Sequence, residues 1–180
     1  MSPLPLLHET ALLIPVPAAE ALVSELRNEH DPSAAAGVPA HVTVMVPFLT
    51  PKELDTEALA ELQALIVAVP AFSFELTGVG WFGRTVLYLV PEPKEPFVAL
   101  TEGIAEAFGT APYSGEYDDI VPHLTVAHAS DGVELASVAD RLRPGLPVDC
   151  WAQEVWLMES EALVWLRRER MVLGGLAPGV

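Results

Sequence analysis

Pro39-Ala40-His41-Val42-Thr43-Val44 and, 82 residues later, Val121-Pro122-His123-Leu124-Thr125-Val126 are two copies of one pattern: His-x-Thr-apolar behind a nearby proline. Each sits in an apolar, β-branched run that predicts a strand. Successive strand side chains point to opposite faces. An imidazole and a hydroxyl two residues apart therefore share one face, while Val42 and Val44, or Leu124 and Val126, point the other way into a core. With five histidines and nine threonines in 180 residues, chance would supply roughly a quarter of one His-x-Thr, not two with matching flanks.

The surroundings repeat as well. In the first half, Ala11-Leu12-Leu13-Ile14-Pro15-Val16-Pro17 reads as a strand with a proline exit. A helix follows from about Ala18 to Asn28, and a Pro/Ala/Gly stretch from Asp31 to Ala40, a loop or a lid, leads into His41. In the second half, Val86-Leu87-Tyr88-Leu89-Val90-Pro91 is followed by a helix from about Pro96 to Phe108. A loop rich in Gly, Tyr and Asp then leads into His123. The shared order implies an internal duplication, approximately 8–83 and 84–170, within a single bilobal domain spanning 1–180. A helix is predicted after each motif. The first starts at Thr50-Pro51-Lys52-Glu53, which has capping-box spacing, and runs to about Val69. The second runs from about Val133 to Leu142, with Ser130 or Asp131 as its N-cap. Strands are predicted at Phe72–Leu76, at Glu154–Met158 and, beyond a tight Glu159-Ser160-Glu161 turn, at Ala162–Leu166. The fold class is α+β: a bilobal, pseudo-two-fold arrangement of two mostly antiparallel sheets lining a central cleft, with helices outside and the motif strands facing one another.

Composition narrows the function. An apolar fraction of 51% with 19% charged residues describes a packed globular protein. No apolar stretch reaches the length of a membrane span, and the N-terminus lacks the pattern of a secretion signal. One cysteine, Cys150, cannot form an internal disulfide, which points to a reducing cytoplasm. The net charge is −16, and the basic residues number nine: Arg27, Lys52, Arg84, Lys94, Arg141, Arg143, Arg167, Arg168 and Arg170. Long nucleic acid is bound largely through phosphate neutralisation, so this charge argues against extended DNA or RNA. A small phosphate ester, held by a few neutral donors, fits better.

Histidine donates or accepts protons near neutral pH. Cleaving a phosphodiester needs one group to deprotonate the incoming hydroxyl or water and another to protonate the leaving oxygen. His41 and His123 can do both without a metal, and Thr43 and Thr125 can hydrogen-bond the non-bridging oxygens. Neither a His-x-x-x-His spacing nor a Cys pair marks a zinc site, so no metal or other cofactor is expected. Further candidates for substrate contact are Phe48, Arg84 and His128. Phe48, Trp81 and Phe82 lie beside strands, where they either fill the core or stack on a base. Arg84 is either a strand-end cation or a phosphate ligand. By simple alternation His128 has the opposite strand parity to His123, which favours a surface or strand-end position.

The paired motifs, together with Pro39 to Phe48, Thr85 to Pro91 and Val121 to Ala127, resemble the 2H phosphoesterase superfamily, close to its 2′-5′ RNA ligase-like and cyclic phosphodiesterase branch. The resemblance covers nearly the whole chain. It implies the bilobal fold and metal-independent action on 2′,3′-cyclic phosphates or related nucleotide esters. His41 and His123 would be the acid and base, and Thr43 and Thr125 the phosphate-binding hydroxyls. Members of the RNA-ligase branch often carry an arginine shortly after the second motif, where this chain has His128. That difference, and the lack of a basic surface, shift weight towards a small nucleotide or the terminal phosphate of an RNA. A non-catalytic nucleotide- or phosphate-binding module and an RNA end-processing or 2′-5′ ligase activity are the alternatives. Oligomeric state is not legible.

Overall fold

Two short strands, β1 (Thr10–Pro15) and β4 (Val86–Glu92), are the inner members around which the chain assembles. β1 pairs antiparallel with β2 (His41–Met45) on one side and with β7 (Glu154–Glu161) on the other. β8 (Val164–Val172) completes a four-stranded sheet of order β2-β1-β7-β8. β4 pairs antiparallel with β5 (Leu124–His128) and with β3 (Phe72–Phe82), and β6 (Val148–Ala152) closes a second sheet of order β5-β4-β3-β6. This computed structural model describes residues 8–129 and 132–175, so the candidate caps Ser130 and Asp131 lie outside the described residues. Both sheets draw on both halves of the chain: β7 and β8 join β1 and β2, while β3 joins β4 to β6.

The layout is the predicted one, α+β with two antiparallel sheets and helices packed over them. Each motif strand is an edge strand of its own sheet, and β2 and β5 pack against each other at the pseudo-dyad. The helices cross over. α1 (Glu20–His30) packs on β5, and α4 (Glu95–Phe108) packs on β2. α1 buries Val23, Leu26 and Arg27; α4 buries Phe97, Leu100, Thr101 and Ile104. One continuous core runs beneath both sheets, from Leu12, Ile14 and Val42 to Leu89, Leu124 and Val126. Phe97 meets Phe72 and Phe74 edge-on at ring distances of 5.0 Å. Among the described residues no helix is long and apolar enough to cross a membrane.

Several boundaries differ from the sequence expectation, each for a local reason. The Thr50–Glu53 box forms, with Thr50 N donating to Glu53 Oε2 at 2.8 Å, but it closes a single turn. Leu54 is buried and Asp55 is extended (ψ 179°), so the helix proper, α3 (Thr56–Val67), starts afresh with the Asp55 carboxylate capping Ala58 N. The turn expected at Glu159–Glu161 is strand; the hairpin reverses two residues later, at Ala162 (φ 48°) and Leu163 (φ 72°). Neither is the Gly or Asn that normally flags such a turn. The Asp31–Ala40 stretch contains a short helix, α2 (Pro32–Ala35), capped by Asp31 through Ser33 N. β6 has no counterpart among the expected strands, because Val148–Ala152 is too short and mixed to stand out. α5 (Gly132–Leu142) lies where the second post-motif helix is expected.

Candidate active site

The two motifs adopt one geometry. His41 opens β2, and its Nδ1 lies 2.7 Å from the carbonyl oxygen of Pro39. His123 sits one residue before β5, and its Nδ1 lies 2.7 Å from the carbonyl oxygen of Val121. A carbonyl oxygen only accepts, so in both neutral rings Nδ1 carries the hydrogen and donates, which leaves Nε2 as the basic nitrogen.

The register also repeats. Leu13 is opposite Thr43 but Leu12 is opposite Met45, so Val44 is an extra, bulged residue. Likewise Tyr88 is opposite Thr125 and Leu87 opposite Ala127, so Val126 is bulged. The apolar residue closing each His-x-Thr-apolar motif is thus the bulge, and the residues on both sides of the step, Val44 and Met45 or Val126 and Ala127, are buried together. The bulge reverses the parity assigned to His128 by simple alternation. His128 is the partner of Val86, which shares a face with Tyr88 and hence with Thr125. His128 therefore stands on the same face as Thr125, at its exposed end. Its Nε2 is 3.9 Å from Asp31 Oδ1, and its charge, if present, disfavours protonation of His123.

Behind His41 lies a buried ion pair. Arg27 Nε donates to Asp31 Oδ2 at 3.0 Å, and both side chains are at most 3% exposed. The guanidinium also donates to the Val38 carbonyl and to Ser33 Oγ, while Glu20 Oε1 accepts from Ala40 N at 2.7 Å. The segment delivering Pro39 and His41 is therefore tied to α1 on both sides. The carbonyl of the bulged Val44 accepts from the buried Thr101 of α4 at 3.0 Å. Thr43 and Tyr113, the latter in the loop after α4, line one small cavity.

Around His123 the neighbours are rings. Phe82 meets it edge-on at 4.8 Å, Tyr88 at 5.4 Å, and these two rings are 4.4 Å apart. Tyr88 lies across Gly80, its cross-strand partner; a Cβ there would fall 2.4 Å from the ring. Only glycine lets the ring lie so close to the backbone.

Burial lowers the pKa of His41 to about 4, against the opposing pull of the Pro39 carbonyl; the charge of Arg27 lowers it further, Asp31 raises it, and His123 lowers it again. The pKa of His123 is lowered in the same way, by burial first. Both imidazoles are neutral bases in the free protein at neutral pH. A bound phosphate anion would raise both, since an adjacent negative charge favours the protonated ring.

The structure brings His41, Thr43, His123, Thr125 and His128 onto one adjoining pair of strand edges. Phe48 is 7% exposed, packed edge-on against Phe108 in the core, with no surface to offer a ligand. Arg84 is exposed in the β3–β4 turn, two residues beyond Phe82. Of the other aromatics considered, Phe82 faces the site while Trp81 faces the opposite way. Sequence reasoning missed Tyr113, Tyr88, Thr101 and the Arg27–Asp31 pair; the i,i+4 spacing of that pair was the one legible signal. No group of three or more His, Cys, Asp or Glu side chains converges for a metal among the described residues.

With this geometry in place, the chain can be set beside known proteins. The family profile described as the 2′-5′ RNA ligase superfamily matches residues 14–162. A Bacillus cytotoxicus protein provisionally named a phosphoesterase is 32% identical over 120 residues, 66% of this chain and 67% of the relative. A Bacillus cereus protein with the same provisional name is 33% identical over the same shares. Among solved structures, Escherichia coli LigT in apo form superposes with a TM-score of 0.61 at 21% identity, covering 93% of this chain and 98% of that one. A Thermus thermophilus protein, TT0787, superposes with a TM-score of 0.63 at 21% identity over the same shares. LigT has also been solved with 3′-AMP, ATP, NADP+ and phosphate.

Proposed function

The chain belongs to the 2′-5′ RNA ligase superfamily, a family of phosphoesterases, and from that premise we propose that it hydrolyses a small 2′,3′-cyclic or 2′-linked nucleotide phosphodiester with His41 and His123 as base and acid. The observation that carries this reading is the twin Nδ1–carbonyl brace at 2.7 Å, which presents two basic Nε2 atoms on adjoining strand edges. A structural histidine needs no such duplicate.

In the proposed reaction a water oxygen attacks phosphorus and its proton passes to the neutral imidazole. The P–O bond to the leaving oxygen breaks, and the second imidazole, protonated beforehand, gives its proton to that oxygen. The product is a phosphomonoester. The two rings have exchanged protonation states, and exchange with solvent restores them. His41, whose pKa is about 4, is assigned the base; His123, among the rings of Phe82 and Tyr88, the acid. Thr43 and Thr125 donate to the non-bridging oxygens, where charge accumulates in the transition state. Phe82, 36% exposed and edge-on to His123, is the assigned surface for a base or ribose. His128 and Arg84 are the assigned polar contacts at the rim.

A small ester suits this site better than long RNA. Arg27 is committed within the protein, and a net charge of −16 repels a polyanion. The binding of nucleotides and phosphate by LigT, a protein of the same fold, supports a nucleotide-sized substrate. The test is phosphorus NMR of the EDTA-treated protein with 2′,3′-cyclic AMP. Opening to a single monophosphate isomer is expected, and the isomer identifies the bond broken. Binding without turnover across a panel of cyclic nucleotides would overturn the enzyme reading in favour of a binding module.

A further inference from the structure

We propose that β3 at Gly78 is the floor of a nucleobase slot beside the Tyr88 ring, so that the ester cleaved at the paired histidines is one carrying a flat, uncharged base. The inference rests on the phosphodiesterase reading above and divides what that reading gives to Phe82. The ribose stays with Phe82, and the base lies one position further along β3.

The register puts this floor on the face of the second motif. Thr125 is opposite Tyr88 and Tyr88 is opposite Gly80, so the three share a face. Phe82 and Gly78, each two residues from Gly80, share it too, as does Val90, the partner of Gly78. Val79 and Leu89 pair on the other face, where Leu89 is fully buried in the core. The rings of Phe82, Tyr88 and His123 fill this face around residues 80 and 82. At Gly78, about 7 Å along the strand from Gly80, the face is open: a Cβ there would meet no heavy atom within 4 Å. Gly78 is two strands, or about 10 Å, from β5.

Nothing within the protein asks for glycine at this position. Gly80 is needed because the Tyr88 ring lies where its Cβ would be. Gly83, with φ 56°, is needed for the turn into β4. Gly78 follows the bulged Thr77, yet its own φ is not in the left-handed region, so the bulge does not require it. A glycine inside a strand weakens it, and its use is to let another group come close to the backbone.

The surroundings decide which group that is. The Tyr88 ring and the half-buried Val90 offer apolar sides. β6 pairs with β3 only from Phe72 to Leu76, so beyond the bulge the outer edge of β3 has no neighbouring strand. Backbone N–H and C=O groups along that edge can meet the polar rim of a base. On the near side of the bulge, Asp149, Glu75 and Glu92 stand opposite one another across β6, β3 and β4, all exposed. Glu75 lies between the core residues Phe74 and Leu76, so this acidic row is on the slot's side of the sheet. Lys94, 3.7 Å from Glu92, offsets one of the three charges. The row disfavours a second phosphate here and leaves a neutral ring as the group that fits.

The test compares 2′,3′-cyclic AMP with ribose 2′,3′-cyclic phosphate, which carries no base. Wild type should show a kcat/KM about 10-fold higher for the nucleotide, the scale of one base stacked on an aromatic ring. Gly78→Val fills the slot and should bring that ratio close to one through KM for the nucleotide, with Gly78→Ala falling between. Neither change should lower the melting temperature, since both residues suit a strand better than glycine and meet no atom there. A wild type that cleaves both esters equally well would overturn the inference, as would a Gly78→Val protein that keeps the full preference. A wild type that cleaves neither would instead overturn the phosphodiesterase reading, and the inference with it.

Discussion

Hydrogen bonds with Arg27, Glu20, Thr101 and the backbone of Tyr113 enclose the strand that carries His41 and the residues flanking it, whereas His123 stands among the rings of Phe82 and Tyr88. Both histidines have the same motif, bulge and carbonyl brace. Five residues after the first motif histidine comes Val46, whose carbonyl anchors a loop; five residues after the second comes His128, on the face of the site. The motif therefore sets where each imidazole and hydroxyl points, and the surroundings set how each behaves. The first half-site is braced and more strongly depressed in pKa; the second is open, aromatic and bordered by a titratable neighbour. Acid–base chemistry at a phosphodiester asks for two groups of one kind in different protonation states, and unlike surroundings are how like residues are made different.

The comparison can be broken from either side. The largest effect is expected from Arg27→Met, which removes one member of a pair whose side chains are 3% and 2% exposed. Leaving the Asp31 carboxylate buried without its partner should cost about 3–5 kcal/mol in denaturant unfolding. The lower end is favoured because Ser33 N and Oγ still donate to that carboxylate. The imidazole resonances of His41 should shift, since the change frees the segment that delivers it and removes a charge that lowers its pKa. A loss below about 1 kcal/mol, the scale of an exposed pair, would mean that the brace on the first half-site is decorative.

A smaller effect, confined to the other half, is expected from Gly80→Ala. The new methyl would lie 2.4 Å from the Tyr88 ring, which must swing away. Overpacking of this kind costs about 1–3 kcal/mol. The NMR signals of His123 and Phe82 should move while those of His41 stay. Movement at both histidines alike would mean that the half-sites are not separable.

Much of this was legible beforehand, and the reasons differ by feature. The paired motifs, the strand preceding each and the helix between were readable because period-2 alternation, proline exits and helical spacing are local signals. Residues 41, 43, 123 and 125 could be placed on shared faces for the same reason. The bulges were invisible, because nothing in Val44 or Val126 distinguishes an inserted residue from a paired one, and the parity of His128 was lost with them. Tyr113 and Tyr88 escaped because each is brought to the candidate site by a long-range contact: a left-handed loop docked on Val46 for one, a bare glycine across the strand for the other. Phe48 looked available in the sequence only because the helix carrying Phe108, which covers it, lies 60 residues away.

The central claim is that two imidazoles share one acid–base task, and the most direct test is the pH dependence of kcat/KM for wild type, His41→Ala and His123→Ala on the same cyclic nucleotide. kcat/KM reports the free enzyme, in which the productive form has one ring neutral and the other protonated. With His41 at about 4 and His123 lowered from 6.5, the wild-type profile should be a bell. It should rise as pH climbs through about 4 and fall again before 6.5, as the acid loses its proton. Each alanine variant should lose about 10²–10⁴-fold together with one limb of the bell. A single variant that keeps full activity, or a profile whose two limbs survive in both variants, would contradict the account.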